Sequence, residues 1–225
     1  MKKYFLIGFA LTVLLISISS CKKQATVAPT YPSSNLWALK AGNVWVYQDS
    51  EYNSNNTLRA AYPDTAIMTS ATIQYADYPG LLFYGFKDSL GFLGPNTVYV
   101  STPSDDYGGY ILTMDDASSA PSIIYQTATS DNLVLASQQD NSTPTCVGTL
   151  NVYGYASSTL INGFTCTKNI KTYTDCNHNV IQSLITYVAS GIGIVRWEYY
   201  KKDSNSTSNV LYLDFTQTLQ KFLPK

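Results

Sequence analysis

The sequence predicts an antiparallel all-β fold: a meander forming a curved sheet, an open barrel or a two-sheet sandwich. Three observations predict it. Charged residues make up only 13% of the 225 positions, and Glu51 and Glu198 are the only glutamates, so long helices would lack residues for their wet faces. The chain is rich instead in Ser, Thr, Asn and 19 tyrosines, a strand-and-turn composition. Short alternating runs recur between turn-forming clusters, with no strand–long-helix alternation of the kind a parallel α/β protein needs.

In chain order, residues 35–40 are expected to form one helical turn that Gly42 stops. Strands are expected at 44–51, 65–75, 81–87, 97–102, 110–114, 123–127, 133–137, 149–155, 164–174, 180–189, 194–200 and 210–218. Turns fall on 53–56, 91–96, 104–109 and 203–208, where Asn, Ser, Asp, Gly and Pro cluster. The last third alternates most clearly. Val195, Trp197 and Tyr199 share one face against Arg196, Glu198 and Tyr200, and Leu211, Leu213 and Phe215 oppose Tyr212, Asp214 and Thr216. Residues 164–218 are therefore expected to form a four-strand meander, with 201–209 an exposed hairpin loop.

The N-terminus differs from the rest. Met1-Lys2-Lys3 is followed by an uncharged, almost unbroken apolar run over residues 4–17, and then by Ile18-Ser19-Ser20-Cys21. The run is shorter than the ~20 residues a spanning helix needs and has the length of a signal-peptide core. An aliphatic residue, two small residues and then cysteine resemble the lipobox of bacterial lipoproteins. The resemblance implies that Cys21 is lipidated and becomes the first mature residue, which makes the chain anchored rather than spanning. A diacylglyceryl group carries two chains, enough for durable attachment where a single chain holds weakly. Residues 22–35 lack apolar periodicity and read as an extended, solvated tether. The expected organisation is a signal over 1–20, lipidated cysteine and tether over 21–35, and one all-β domain over 36–225.

Ser-Cys-Lys-Lys after such a signal is similar to lipoproteins of the Bacteroidota. Some of these carry an acidic surface-export cluster after the cysteine; Lys22, Lys23 and Gln24 stand there instead, so periplasmic and surface faces stay open. The run Leu39-Lys40-Ala41-Gly42-Asn43-Val44-Trp45-Val46-Tyr47 resembles the opening of a group of uncharacterised lipoproteins of that phylum. Gly191-Ile192-Gly193-Ile194-Val195-Arg196-Trp197-Glu198 resembles a segment near their ends. The resemblance implies an outer-membrane envelope lipoprotein and transfers no catalytic role. Physically, Gly191 and Gly193 read as places where a strand bends or bulges.

Chemistry-bearing residues are sparse. His178, the only histidine, lies in Asp175-Cys176-Asn177-His178-Asn179, which reads as a hairpin turn, with no Gly-x-Ser-x-Gly elbow elsewhere. Zinc on Cys176 and His178 would need two more ligands, and no close Cys-x-x-Cys pair supplies them. Asp105-Asp106 and Asp115-Asp116 are adjacent pairs in loops, without the spaced carboxylates of a calcium loop. No catalytic residue, metal or cofactor is expected. Without Lys2 and Lys3 the chain has 12 basic and 15 acidic residues and no basic stripe, so nucleic acid is not an expected partner. Asp64-Thr65-Ala66 and Asp88-Ser89-Leu90 resemble O-glycosylation sites of the same phylum; one such match is expected by chance, so two are weak evidence.

The expected function is a non-enzymatic binding or structural module held at the membrane by lipid. The alternatives are a carrier of an apolar ligand such as a lipid inside a curved sheet, or a glycan-binding accessory using exposed aromatics. An oxidising envelope permits disulfides among the other three cysteines. Placing Ala156 opposite Phe164 puts Cys166 opposite Gly154 and Cys146 two residues short of Cys176. That register predicts a Cys146–Cys176 bridge with Cys166 free.

Overall fold

The computed structural model describes residues 34–77, 80–88, 96–106, 108–140, 147–203 and 210–225. Cys21, Cys146, the signal, the tether up to residue 33 and most of the 201–209 loop lie outside these residues. The described chain contains thirteen strands and no helix. They are β1 Val44–Tyr52, β2 Leu58–Gln74, β3 Leu82–Asp88, β4 Thr97–Ser101, β5 Ser104–Asp105, β6 Gly108–Met114 and β7 Ser122–Gln126. There follow β8 Leu133–Asp140, β9 Gly148–Ile161, β10 Phe164–Thr174, β11 Val180–Ala189, β12 Gly193–Lys202 and β13 Leu211–Leu223.

All belong to one antiparallel curved sheet in the order β5-β6-β4-β3-β2-β1-β13-β12-β11-β10-β9-β8, with β7 paired to β6. The all-β expectation and the meander β10–β13 are both present. The first strand pairs with the last, Val44 opposite Leu223 and Trp45 opposite Phe222, which brings the two halves of the chain side by side.

One face carries the core. Trp45 is fully buried and packs edge-on to Trp37 and Phe86, and tilted against Phe222. Its indole N–H donates to the Ile192 carbonyl (2.9 Å), so this core side chain leaves no polar atom orphaned. Aromatic edge-to-face pairs of this kind add roughly 0.5–1.5 kcal/mol each beyond the area they bury.

Four local expectations need correction. Residues 35–40 form no helical turn: Trp37 makes a parallel bridge to Ile192, and Leu36 and Trp37 are buried. Tertiary burial outweighs a single turn, which has too few internal hydrogen bonds to hold itself. β2 begins at Leu58, not 65, and runs through Pro63. Among the described residues its ladder to β3 covers only Ala66–Gln74, so no described strand residue is paired to Pro63 on that side and none there needs its missing N–H. Ser104 and Asp105, expected in a turn, pair back on Gly109 and Gly108 as β5.

The fourth correction is the register of the β9–β10 hairpin. β9 continues to Ile161, and Asn162 and Gly163 alone form the turn, both with positive φ (48° and 85°). An Asn-Gly pair suits the tight turn whose twist matches the strands it joins. Phe164 therefore faces Ile161 rather than Ala156, and Cys166 faces Thr159 rather than Gly154.

Gly193 shows why one glycine is required. Its φ is +105°, and a Cβ there would lie 2.5–2.6 Å from the Trp37 ring. Gly193→Ala should lower the unfolding free energy by about 2 kcal/mol or more, through backbone strain and displacement of Trp37. Urea unfolding followed by tryptophan fluorescence measures it.

Candidate functional site

The sheet rolls up until its first-half edge meets its second half. β7 crosses the core-side face of β10, and Asn169 of β10 clasps it. The Asn169 amide donates to the Gln126 carbonyl (2.9 Å), and its oxygen accepts from the Gln126 backbone N–H (2.8 Å). One side chain thus supplies both bonds that a neighbouring strand would make at that residue. The Tyr125 and Thr167 hydroxyls, 2.5 Å apart, add a second tie.

Two features follow from this roll. The first is a cleft of about 330 Å³ between β7 and the strands β8–β11. Its floor is one cross-strand row, Ala136–Val152–Lys171–Leu184, with each residue opposite the next. Ile123 and Ile124 of β7 close the other side, and Leu135 and Leu150 flank the row. Leu135 reaches the cleft because β8 bulges there. Gly154 leaves it room: a Cβ at Gly154 would lie 2.8 Å from Leu135 Cδ1. The cleft lies at the small end of the roughly 300–1,000 Å³ range of small-molecule sites. Lys171 is the only charged residue among its lining residues, and its ammonium lies 5.5 Å from the centre of the Tyr173 ring.

The second feature is a polar row through the interior: Asn169–Thr186–Trp197–Gln217–Asp49, running from β10 across to β1. All five are buried. Asp49 is fully buried, and neither carboxylate oxygen has a hydrogen-bond partner among the described residues. Buried Asp64 lies close by on β2, and the Gln217 amide donates to it (3.2 Å). Burial, and then the Asp64 charge, push the Asp49 carboxyl up to about 7, with Gln217 offsetting part of this. Tyr47, beside this group, is pushed well above the usual phenol range by burial and then by Asp88, Asp64 and Asp49. Its hydroxyl donates to the Ile194 carbonyl (2.9 Å). Among the described residues no group of three His, Cys, Asp or Glu side chains is arranged to hold a metal ion.

The residues singled out by sequence do not converge. His178 is exposed in the β10–β11 turn with φ 61°, where its N–H donates to the Asp175 carbonyl (3.0 Å). The Asp175 carboxylate accepts from the backbone of Asn177 and Asn179, which holds it below the usual carboxylate range. Asp116 caps Ser118 and Ser119 in its turn, and Asp105 of β5 accepts from Tyr110 of β6, so one aspartate of each acidic pair is engaged by its own local structure. Cys166 is free and buried, and burial pushes its thiol up to about 11. Cys176 is disulfide-bonded; Cys166 being free, its partner is not among the described residues.

Tyrosines on the opposite face of β9–β12 are engaged with their neighbours. The Lys168 ammonium sits 4.8 Å over the Tyr155 ring, Tyr200 donates to Glu198 (3.0 Å), and Arg196 pairs with Glu198 (2.8 Å).

No protein family matches the chain, and no curated protein matches it. Two solved structures resemble it remotely. One is a candidate lipoprotein from Parabacteroides distasonis, with 12% identity and a TM-score of 0.46 over 85% of this chain and 100% of that one. The other is a candidate exported protein with a YmcC-like fold from Bacteroides fragilis, with 12% identity and a TM-score of 0.37 over the same shares.

Proposed function

We propose that this chain is a non-enzymatic binding protein of the cell envelope, anchored to the outer membrane by lipid on Cys21. The observation that carries the reading is Cys21 itself, placed directly after Ile18-Ser19-Ser20 where the uncharged run of residues 4–17 ends. Residues 1–20 act as the leader, 21–35 as the lipidated tether and 36–225 as the folded body. Of the two ligand classes, an apolar ligand fits better than a glycan. The cleft under β7 is concave and mostly apolar, whereas the facing tyrosine surface is occupied by its own ion pair and cation–π contact.

Membrane fractions should yield an acylated peptide beginning at Cys21, and Cys21→Ala should shift the protein out of the membrane or stall its processing. A mature N-terminus elsewhere, or an unmodified Cys21 in membranes, contradicts the proposal.

The same reading includes a Cys146–Cys176 bridge. Thr149 faces Thr174 in the β9–β10 ladder; Cys146 lies three residues before the one and Cys176 two residues after the other. Closing a loop of about 30 residues contributes ~2–4 kcal/mol when unstrained. Non-reducing peptide mapping should recover that pair. A Cys21–Cys176 pair would contradict the bridge and the anchor together.

A further inference from the structure

The roll of the sheet leaves one cationic side chain, Lys171, in the lining of a mostly apolar hollow, its ammonium 5.5 Å from the centre of the Tyr173 ring at the edge of that lining. Lys171 lies in the cleft floor between Val152 and Leu184, and no acidic residue is among the described residues that line the cleft. Lys171 enters no ion pair among the described residues. Its long stem lets the ammonium reach the cleft mouth while the methylenes stay on apolar neighbours. From β10 to β8 the floor crosses two strand spacings, roughly 10 Å, all of it apolar at Val152 and Ala136. That is the pattern a single-chain amphiphile needs: one positive group at an end, and an apolar track leading from it.

We propose that the cleft binds one long-chain carboxylate, with the carboxylate on Lys171 and the alkyl chain over Val152 and Ala136 beneath Ile123 and Ile124. A neutral chain of the same length gains the same apolar contact but leaves Lys171 without its charge-assisted partner. Head-group charge, rather than chain burial alone, then sets the preference. The proposal deepens the apolar-ligand reading above and does not depend on the anchor.

The test uses the full acylated chain in phosphatidylcholine nanodiscs with a diazirine-bearing palmitate. Light-induced adducts are mapped by peptide mass spectrometry and competed with unlabelled palmitate or hexadecanol. Adducts should fall on peptides containing Ile123, Ala136 and Val152. Palmitate should compete about tenfold better than hexadecanol, as a charge-assisted contact predicts. Lys171→Met should abolish that preference while leaving labelling by the neutral alcohol analogue intact. Val152→Trp, which fills the floor, should abolish labelling by both. Equal competition by the two lipids, an unchanged preference in Lys171→Met, or adducts confined to exposed residues such as Leu160 would overturn the proposal. The intact mass of the same sample reports acylation at Cys21, so failure of the anchor and failure of the ligand site are seen separately.

Discussion

Asp49→Asn should make the protein more stable at about pH 8, by on the order of 2–4 kcal/mol. Asp49 is fully buried, neither oxygen is hydrogen-bonded among the described residues, and Asp64 lies nearby. Its carboxyl is raised from 3.8 to about 7, by burial first and Asp64 second. The sign follows from proton counting. Between about pH 4 and pH 7 the folded chain keeps a proton that the unfolded chain releases. Stability from this group is therefore full below about pH 4, declines as the pH rises, and stays low above about pH 7. A rise of about three units sets a ceiling near 4 kcal/mol. Asparagine carries no charge at any pH, so the variant should lose this slope and differ little from the parent at about pH 4. Urea unfolding of both proteins at acidic, neutral and basic pH reads the effect. A variant less stable than the parent at about pH 8 would show that Asp49 is held as a partnered carboxylate. The cost of keeping Asp49 charged in the interior sets this residue apart from an ordinary core position, where an apolar side chain would serve better.

Asn169→Ala should cost about 2–4 kcal/mol, by leaving the Gln126 N–H and carbonyl without partners beside a buried gap. The loss should be local before it is global. Amide exchange should accelerate first at Gln126 and its β7 neighbours, while the β10–β11 ladder on the far side of Asn169 keeps its protection. Uniform acceleration across β10 and β11 would mean that Asn169 supports the sheet in general rather than clasping β7.

These residues also show what the sequence could and could not reveal. In β1 the alternation is plain: Trp45, Tyr47 and Asp49 share one face, against Val44, Val46 and Gln48. The same parity that marks Trp45 as core marks Asp49 as buried, so the unusual carboxylate was legible though easily passed over as a polar strand residue. The Asn162-Gly163 turn was legible too, since that dipeptide favours a two-residue hairpin. Spreading the turn over residues 156–163 instead cost the register. The clasp was not legible. Asn169 and Gln126 are 43 residues apart, and nothing local to either predicts that β7, while paired to β6, also lies on β10. The cleft depends on that closure, so Lys171 reads in sequence as one lysine among ordinary strand positions. The Pro63 strand failed for a related reason: whether a proline interrupts a sheet depends on whether a neighbour lies opposite its nitrogen, which is a tertiary fact.

The rolled sheet with β7 over β10 is the claim on which the cleft, the polar row and the ligand site all rest. Nuclear Overhauser spectroscopy on the labelled protein tests it most directly. The Asn169 side-chain amide lies 2.9 Å from the Gln126 carbonyl, and its oxygen lies 2.8 Å from the Gln126 nitrogen. Strong cross-peaks are therefore expected between the Asn169 amide protons and the backbone protons of Gln126 and Thr127, with slow exchange at the Gln126 amide. No cross-peaks between Asn169 and β7, together with solvent-like exchange at Gln126, would show that the sheet stays open and that the cleft does not form.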